Sequence, residues 1–170
     1  RSAKNCVLEV VGGSGVNSDV YGSAIAVDGK LFINDIASLT AKGYGKCGYG
    51  IGGINGEIVI ENTTIDYVSG GYVQPLFISD VKYGKSEPEG AAAIGGKKIV
   101  ISNSVITKAE GGSKAAAIGN RYWESAEVVI TDSWLGDIFG GNASAAIGGS
   151  RYSSDEATHH EVKVTIENST

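Results

Sequence analysis

Ala91-Ala92-Ala93-Ile94-Gly95-Gly96-Lys97-Lys98-Ile99-Val100-Ile101-Ser102-Asn103-Ser104 contains both phrases that decide the fold. The first phrase is a run of small residues closed by Ile-Gly. It recurs as Gly48-Tyr49-Gly50-Ile51-Gly52-Gly53, Ala115-Ala116-Ala117-Ile118-Gly119-Asn120 and Ser144-Ala145-Ala146-Ile147-Gly148-Gly149. A weaker version is Gly22-Ser23-Ala24-Ile25-Ala26. The second phrase alternates apolar residues and closes in an amide or an acid. Its other copies are Ile58-Val59-Ile60-Glu61-Asn62-Thr63, Val128-Val129-Ile130-Thr131-Asp132-Ser133 and Val164-Thr165-Ile166-Glu167-Asn168-Ser169, with looser forms at Leu31-Phe32-Ile33-Asn34-Asp35 and Leu8-Glu9-Val10.

The Ile-Gly anchors at 25, 51, 94, 118 and 147 are separated by steps of 26, 43, 24 and 29. The long step contains Gly71 to Glu89, which holds both prolines and reads as an inserted loop. Alternating β-branched residues indicate strands, with Ile58, Ile60, Ile99 and Ile101 facing inward. One persistent phrase at this period, with two short strands per period, indicates a β-solenoid rather than a sandwich. The expected architecture is an all-β, right-handed parallel β-helix of about six coils, a single unit over residues 1–170. Stacked coils about 4.8 Å apart place like on like. Ile51, Ile94, Ile118 and Ile147 then form one apolar column, and Ile60, Ile101, Ile130 and Ile166 another. Asp35, Asn62, Asn103, Asp132 and Asn168 form a polar column at a bend, where short amide and acid side chains satisfy backbone groups.

Composition narrows the function classes. The chain has 170 residues, 26 glycines, two prolines and a formal charge of −5. Glycine at this density weakens long helices by about 1 kcal/mol per residue. The negative balance argues against a broad nucleic-acid surface. No apolar run reaches the roughly 20 residues that span a bilayer. Methionine is absent, so a processed or excised piece of a longer protein is expected, with flanking domains or coils as partners.

The candidate chemistry is sparse. Cys6 and Cys47 fall on different walls of the expected coil, so neither a disulfide nor a metal site is expected from them. Gly43, Gly45 and Gly48, like Gly48, Gly50 and Gly53, have dinucleotide-loop spacing but lack the helix that such a loop requires. His159 and His160 are adjacent and read as loop residues. No cofactor is expected.

The aromatic residues are better placed. Asn120-Arg121-Tyr122-Trp123-Glu124 and Ser150-Arg151-Tyr152-Ser153 follow two successive Ile-Gly anchors, so the Arg-Tyr pair recurs in register. With Trp134 on the adjacent wall, these residues suit a carbohydrate, which offers C–H faces for stacking and hydroxyls for bonding. The expected glycan-binding residues are therefore Arg121, Tyr122, Trp123, Trp134, Arg151 and Tyr152. Covering coil ends is the plainer role for the same residues.

The phrases A-A-A-I-G-G, I-V-I-S-N-S and V-T-I-E-N-S-T resemble the Gly/Ala-rich right-handed parallel β-helix repeats of bacterial surface proteins. From about Ile25 to Thr170 they are also similar to the β-helix of the lacto-N-biosidase family of glycosidases. The first resemblance implies an extracellular or cell-surface module that binds glycan or serves adhesion. The second implies an extracellular hydrolase acting on host-type oligosaccharides through an aspartate pair, for which Asp28 and Asp35 are the candidates. A structural stalk is the third reading.

Overall fold

The computed structural model describes residues 6–12, 22–45, 48–71, 90–120, 125–142, 144–149 and 161–170. Fifteen strands and no helix occur among them. They form three parallel five-stranded sheets, which are the walls of a β-helix. The short wall contains β2 (Ile25–Ala26), β5 (Ile51–Gly52), β8 (Ile94–Gly95), β11 (Ile118–Gly119) and β14 (Ile147–Gly148). The regular wall contains β3 (Lys30–Asn34), β6 (Glu57–Glu61), β9 (Lys98–Ser102), β12 (Ala126–Thr131) and β15 (Val162–Glu167). The third wall contains β1 (Val7–Val11), β4 (Ser38–Lys42), β7 (Thr64–Ser69), β10 (Val105–Glu110) and β13 (Trp134–Phe139).

Two expectations from the sequence need correction. Each coil has three strands rather than two, because the stretch after the Asn/Asp corner is also a strand. The described strands amount to five coils rather than six: four complete ones, with β1 before them and β14 and β15 after them. The stacking itself is as expected. Ile51 pairs with Ile94, Ile94 with Ile118 and Ile118 with Ile147. Ile33, Ile60, Ile101, Ile130 and Ile166 pair in the same way on the regular wall. Ile51, Ile58, Ile60, Ile94, Ile99, Ile101, Ile118 and Ile130 are fully buried. Removing a branched aliphatic side chain of this size from water contributes about 1.5–3 kcal/mol, so these columns dominate the stability of the stack.

Two of the three corners of each coil show what turns the chain. Asp35, Asn62, Asn103, Asp132 and Asn168 turn the chain from the regular wall to the third wall, and all have φ between 44° and 59°. Asn and Asp tolerate this left-handed conformation best among non-glycine residues. Their side chains lie outside rather than inside the coil, and Asn103 Nδ2 donates to Asn62 Oδ1 at 2.7 Å. Asn62 Nδ2 in turn donates to Asn34 Oδ1 at 3.0 Å.

The next residue performs the buried work at this corner. The hydroxyls of Thr63, Ser104, Ser133 and Ser169 donate to the carbonyl two residues back, at 2.8, 2.7, 2.7 and 2.9 Å. Each also accepts an amide N–H from the preceding coil: Ile36 to Thr63 at 3.4 Å, Thr63 to Ser104 at 3.2 Å, Ser104 to Ser133 at 3.2 Å and Ser133 to Ser169 at 3.1 Å. This column satisfies a corner amide in one coil and a carbonyl in the next, groups that would be costly to bury unpaired.

At the corner leading back to the short wall, successive backbones nearly touch. A Cβ on Gly112 would lie 1.9 Å from the Gly71 carbonyl oxygen, and one on Gly141 would lie 1.9 Å from that of Gly112. Only glycine fits there. No described helix is long and apolar enough to cross a membrane.

Candidate functional site on the bulged wall

The third wall departs from strict alternation. Leu39 pairs with Ile65 but Thr40 pairs with Tyr67, so β7 carries an extra residue, Asp66, relative to β4. The strands β7, β10 and β13 each have six residues, where β4 has five. Their registers, Ala109 with Val68 and Lys108 with Asp137, stack Thr107 on Asp66 and Gly136 on Thr107. The consequence is a row of aligned bulges. Ile65 and Val68 both point inward and are fully buried, while Asp66 and Tyr67 between them both point outward. A bulge re-aims side chains in this way and is frequent beside functional sites.

A connected polar network occupies the bulged face. The Ser38 hydroxyl donates to Asp66 Oδ2 across the first bulge. The Tyr67 hydroxyl donates to Glu110 Oε2 at 2.6 Å, and Lys108 Nζ lies 2.8 Å from Glu110 Oε1. Lys42 and Lys108 flank the Tyr67 ring, with Nζ 5.8 and 5.6 Å from its centroid, a range for cation–π attraction. Lys42 Nζ is also 3.7 Å from Glu9 Oε1.

These contacts set the protonation states. Burial, reinforced by the hydrogen bond to Glu110, raises the Tyr67 pKa. Burial alone would raise the Glu110 pKa, but the hydrogen bonds from Lys108 and Tyr67 outweigh it and hold the carboxyl below its ordinary value. The hydrogen bond to Glu110 raises the Lys108 pKa. Near neutrality the network therefore holds a neutral phenol, a carboxylate and an ammonium.

Trp134 is at the start of β13 on the same face. A Cβ on Gly136 would lie 2.8 Å from Trp134 Cη2 and 3.1 Å from Cζ3. The indole thus lies along the strand, over the one bulge position without a side chain. Trp134 is 47% exposed, and Phe139, outward at the other end of β13, is 53% exposed. Leu135 and Ile138 between them pack against the core.

The remaining sequence candidates are placed as follows. Asp28 and Asp35 stand at opposite ends of β3, on either side of a five-residue strand, about 20 Å apart at the rise of an extended chain. Paired glycosidase carboxylates stand about 5–9.5 Å apart, and the structure does not bring these two that close. Asp28 accepts from Asn55 Nδ2 at 3.3 Å, while Asp35 is a left-handed corner residue. Arg121, Tyr122, Trp123, Arg151, Tyr152, Cys47, His159, His160 and most of the 71–89 segment lie outside the described residues. Asn120, which precedes 121–124, is buried, and its Nδ2 donates to the Ser125 carbonyl at 3.1 Å. Cys6 is exposed and unpaired as a thiol. No group of three or more potential metal ligands occurs among the described residues.

The regular wall presents a different outer surface. Lys30, Glu57, Lys98, Glu127 and Lys163 stack in one alternating column. Lys30 pairs with Glu57 at 3.2 Å and Lys98 with Glu127 at 3.0 Å. The hydrogen bond from Lys98 and the nearby Lys163 lower the Glu127 pKa. A shallow groove of about 330 Å³ beside this column is lined mainly by the same charges.

Sequence reasoning missed Tyr67, Lys42, Lys108, Glu110 and Phe139. The available signal was the recurrence of two non-aliphatic residues between two inward apolar ones at Ile65–Val68, Ile106–Ala109 and Leu135–Ile138. No family model, no curated protein and no solved structure matches the chain.

Proposed function

We propose that the protein is an extracellular glycan-binding β-helix of the Gly/Ala-rich kind carried by bacterial surface proteins. One observation carries the proposal: the half-exposed Trp134 indole packed against Gly136, on the same face as the polar network of the bulged wall. A flat ring with hydrogen-bonding neighbours suits a pyranose, whose axial C–H face stacks while its hydroxyls bond to Lys, Asp and Glu. Glu110 is held below its ordinary range and is therefore not the protonated carboxyl that a hydrolase on this face would need.

A stalk is the second reading, favoured by the self-paired charge column of the regular wall. Titration of a glycan array separates the two. The proposal expects saturable binding that Trp134→Ala weakens about tenfold or more, with an unchanged circular dichroism spectrum. Absence of saturable binding, or full binding by Trp134→Ala, would leave the stalk.

A further inference from the structure

We propose that Asn55-Gly56 is a self-modifying site, at which Asn55 deamidates to aspartate or isoaspartate and loosens the corner between the short and regular walls. The corner after β5 is a tight turn. Ile54 and Asn55 are exposed at its tip, and Gly56 N–H donates to the Gly53 carbonyl at 3.0 Å. Asn55 is the only asparagine of the chain that is followed by glycine. The reaction needs no enzyme and no reagent but water. The Gly56 backbone nitrogen attacks Asn55 Cγ and forms a C–N bond, the bond from Cγ to Nδ2 breaks, and Nδ2 leaves as ammonia with the proton that the backbone nitrogen gives up. Water then opens the cyclic imide at either carbonyl. One product is aspartate, and the other is isoaspartate, which has one more carbon in the main chain. A side chain on the following residue hinders the ring closure, and glycine has none.

The other described asparagines are protected. Asn34, Asn62, Asn103, Asn120, Asn142 and Asn168 each precede a residue with a side chain. After three of them the attacking amide is also tied across coils. Asp35 N–H donates to the Glu61 carbonyl at 3.2 Å, and the Thr63 and Ser104 amides donate to the Ser104 and Ser133 hydroxyls, each at 3.2 Å. Freeing those amides requires two coils to part. The Gly56 bond stays within one exposed turn and opens with it.

The product acts on the adjacent coil. Asn55 Nδ2 donates to Asp28 Oδ1 at 3.3 Å. A carboxylate at position 55 has no hydrogen to donate and sets a second negative charge against Asp28. The extra carbon of isoaspartate lengthens the turn just before Glu57, whose N–H donates to the Gly29 carbonyl at 2.7 Å.

The test is incubation of the full chain in warm, mildly alkaline buffer, followed by peptide mapping with mass spectrometry and detection of isoaspartate. The peptide holding Asn55 is expected to gain the mass difference between an amide and an acid before any other described asparagine does. The urea midpoint of the aged protein is expected to fall below that of the fresh protein. Gly56→Ala keeps Asn55 and the attacking amide, its Cβ 3.2 Å from the Gly53 carbonyl oxygen, and suppresses the mass change. Asn55→Gln, altered only at the exposed tip, keeps its midpoint on ageing. Conversion of another described asparagine before Asn55, or conversion as fast in Gly56→Ala as in the parent chain, would overturn the site. Equal midpoints for fresh and aged protein would overturn the loosening of the corner.

Discussion

The regular and bulged walls have the same strand number and pairing direction, yet their outer faces differ in kind. On the regular wall each strand alternates without interruption, and its outward charges neutralise their neighbours one coil away. The repeating geometry there answers its own electrostatics and leaves little for a ligand. On the bulged wall one added residue in each of β7, β10 and β13 turns two consecutive positions outward. Tyr67, Lys108 and Asp137 then stand in a row that alternation would not have produced, and Trp134 gains a bare glycine to lie on. A solenoid keeps its core by repetition and makes a surface for recognition where repetition is interrupted.

Substitutions can break or sharpen this contrast. The largest effect is expected inside the regular wall: Ile101→Ala removes a fully buried side chain between Ile60 and Ile130 and destabilises the fold by about 2–5 kcal/mol. Equilibrium urea unfolding measures it, and a loss under about 1 kcal/mol would mean that the column is not close-packed. The corner between the walls comes next. Ser104→Ala strips the partner from the Thr63 amide and from the Ser102 carbonyl, for about 1–3 kcal/mol in the same measurement.

Deleting Asp66, Thr107 and Gly136 together gives the bulged wall the spacing of β4. The deletion variant is expected to keep its β-sheet spectrum, to lose less stability than Ser104→Ala, and to lose glycan binding. Unfolding of the variant would show that the bulges are structural.

A smaller effect follows from the titration of Glu110. Its carboxyl has a lower pKa folded than unfolded, so its stabilising contribution is complete above the unfolded value and disappears as pH falls through the folded value. Carbon-detected NMR should therefore place its midpoint below that of an ordinary glutamate, and Tyr67→Phe should move it upward. The smallest effect belongs to the charge column. Lys98→Gln is expected to leave the urea midpoint unchanged at physiological salt, as for most exposed ion pairs.

The repeat was legible because the residues that carry it are constrained by stacking. Ile51, Ile94, Ile118 and Ile147 recur as a phrase because each is the floor of the next. Asn62, Asn103 and Asn168 recur because few side chains accept their backbone conformation. The third strand was hidden by the bulge: Ile65 and Val68, like Ile106 and Ala109, are three apart, and a search for period two passes over them. The hydroxyl column was visible as a Thr or Ser after Asn62, Asn103, Asp132 and Asn168, though not after Asp35, but its bonds reach across coils and cannot be read within one phrase. Trp134 could be singled out as an aromatic near a corner. Tyr67 and Phe139 on the same wall could not, because their place on it depends on a register that is fixed only once the third wall is seen.

The alternating column on the regular wall gives the stack a parity. Excising the single coil β8–β10 would seat Glu57 directly beside Glu127, and like charges facing across a ladder repel. Excising β8 to β13 would instead bring Glu57 against Lys163 and restore attraction. Odd changes in coil number carry an electrostatic penalty that even changes avoid, so the unit by which this rod can be lengthened or trimmed without penalty is a pair of windings.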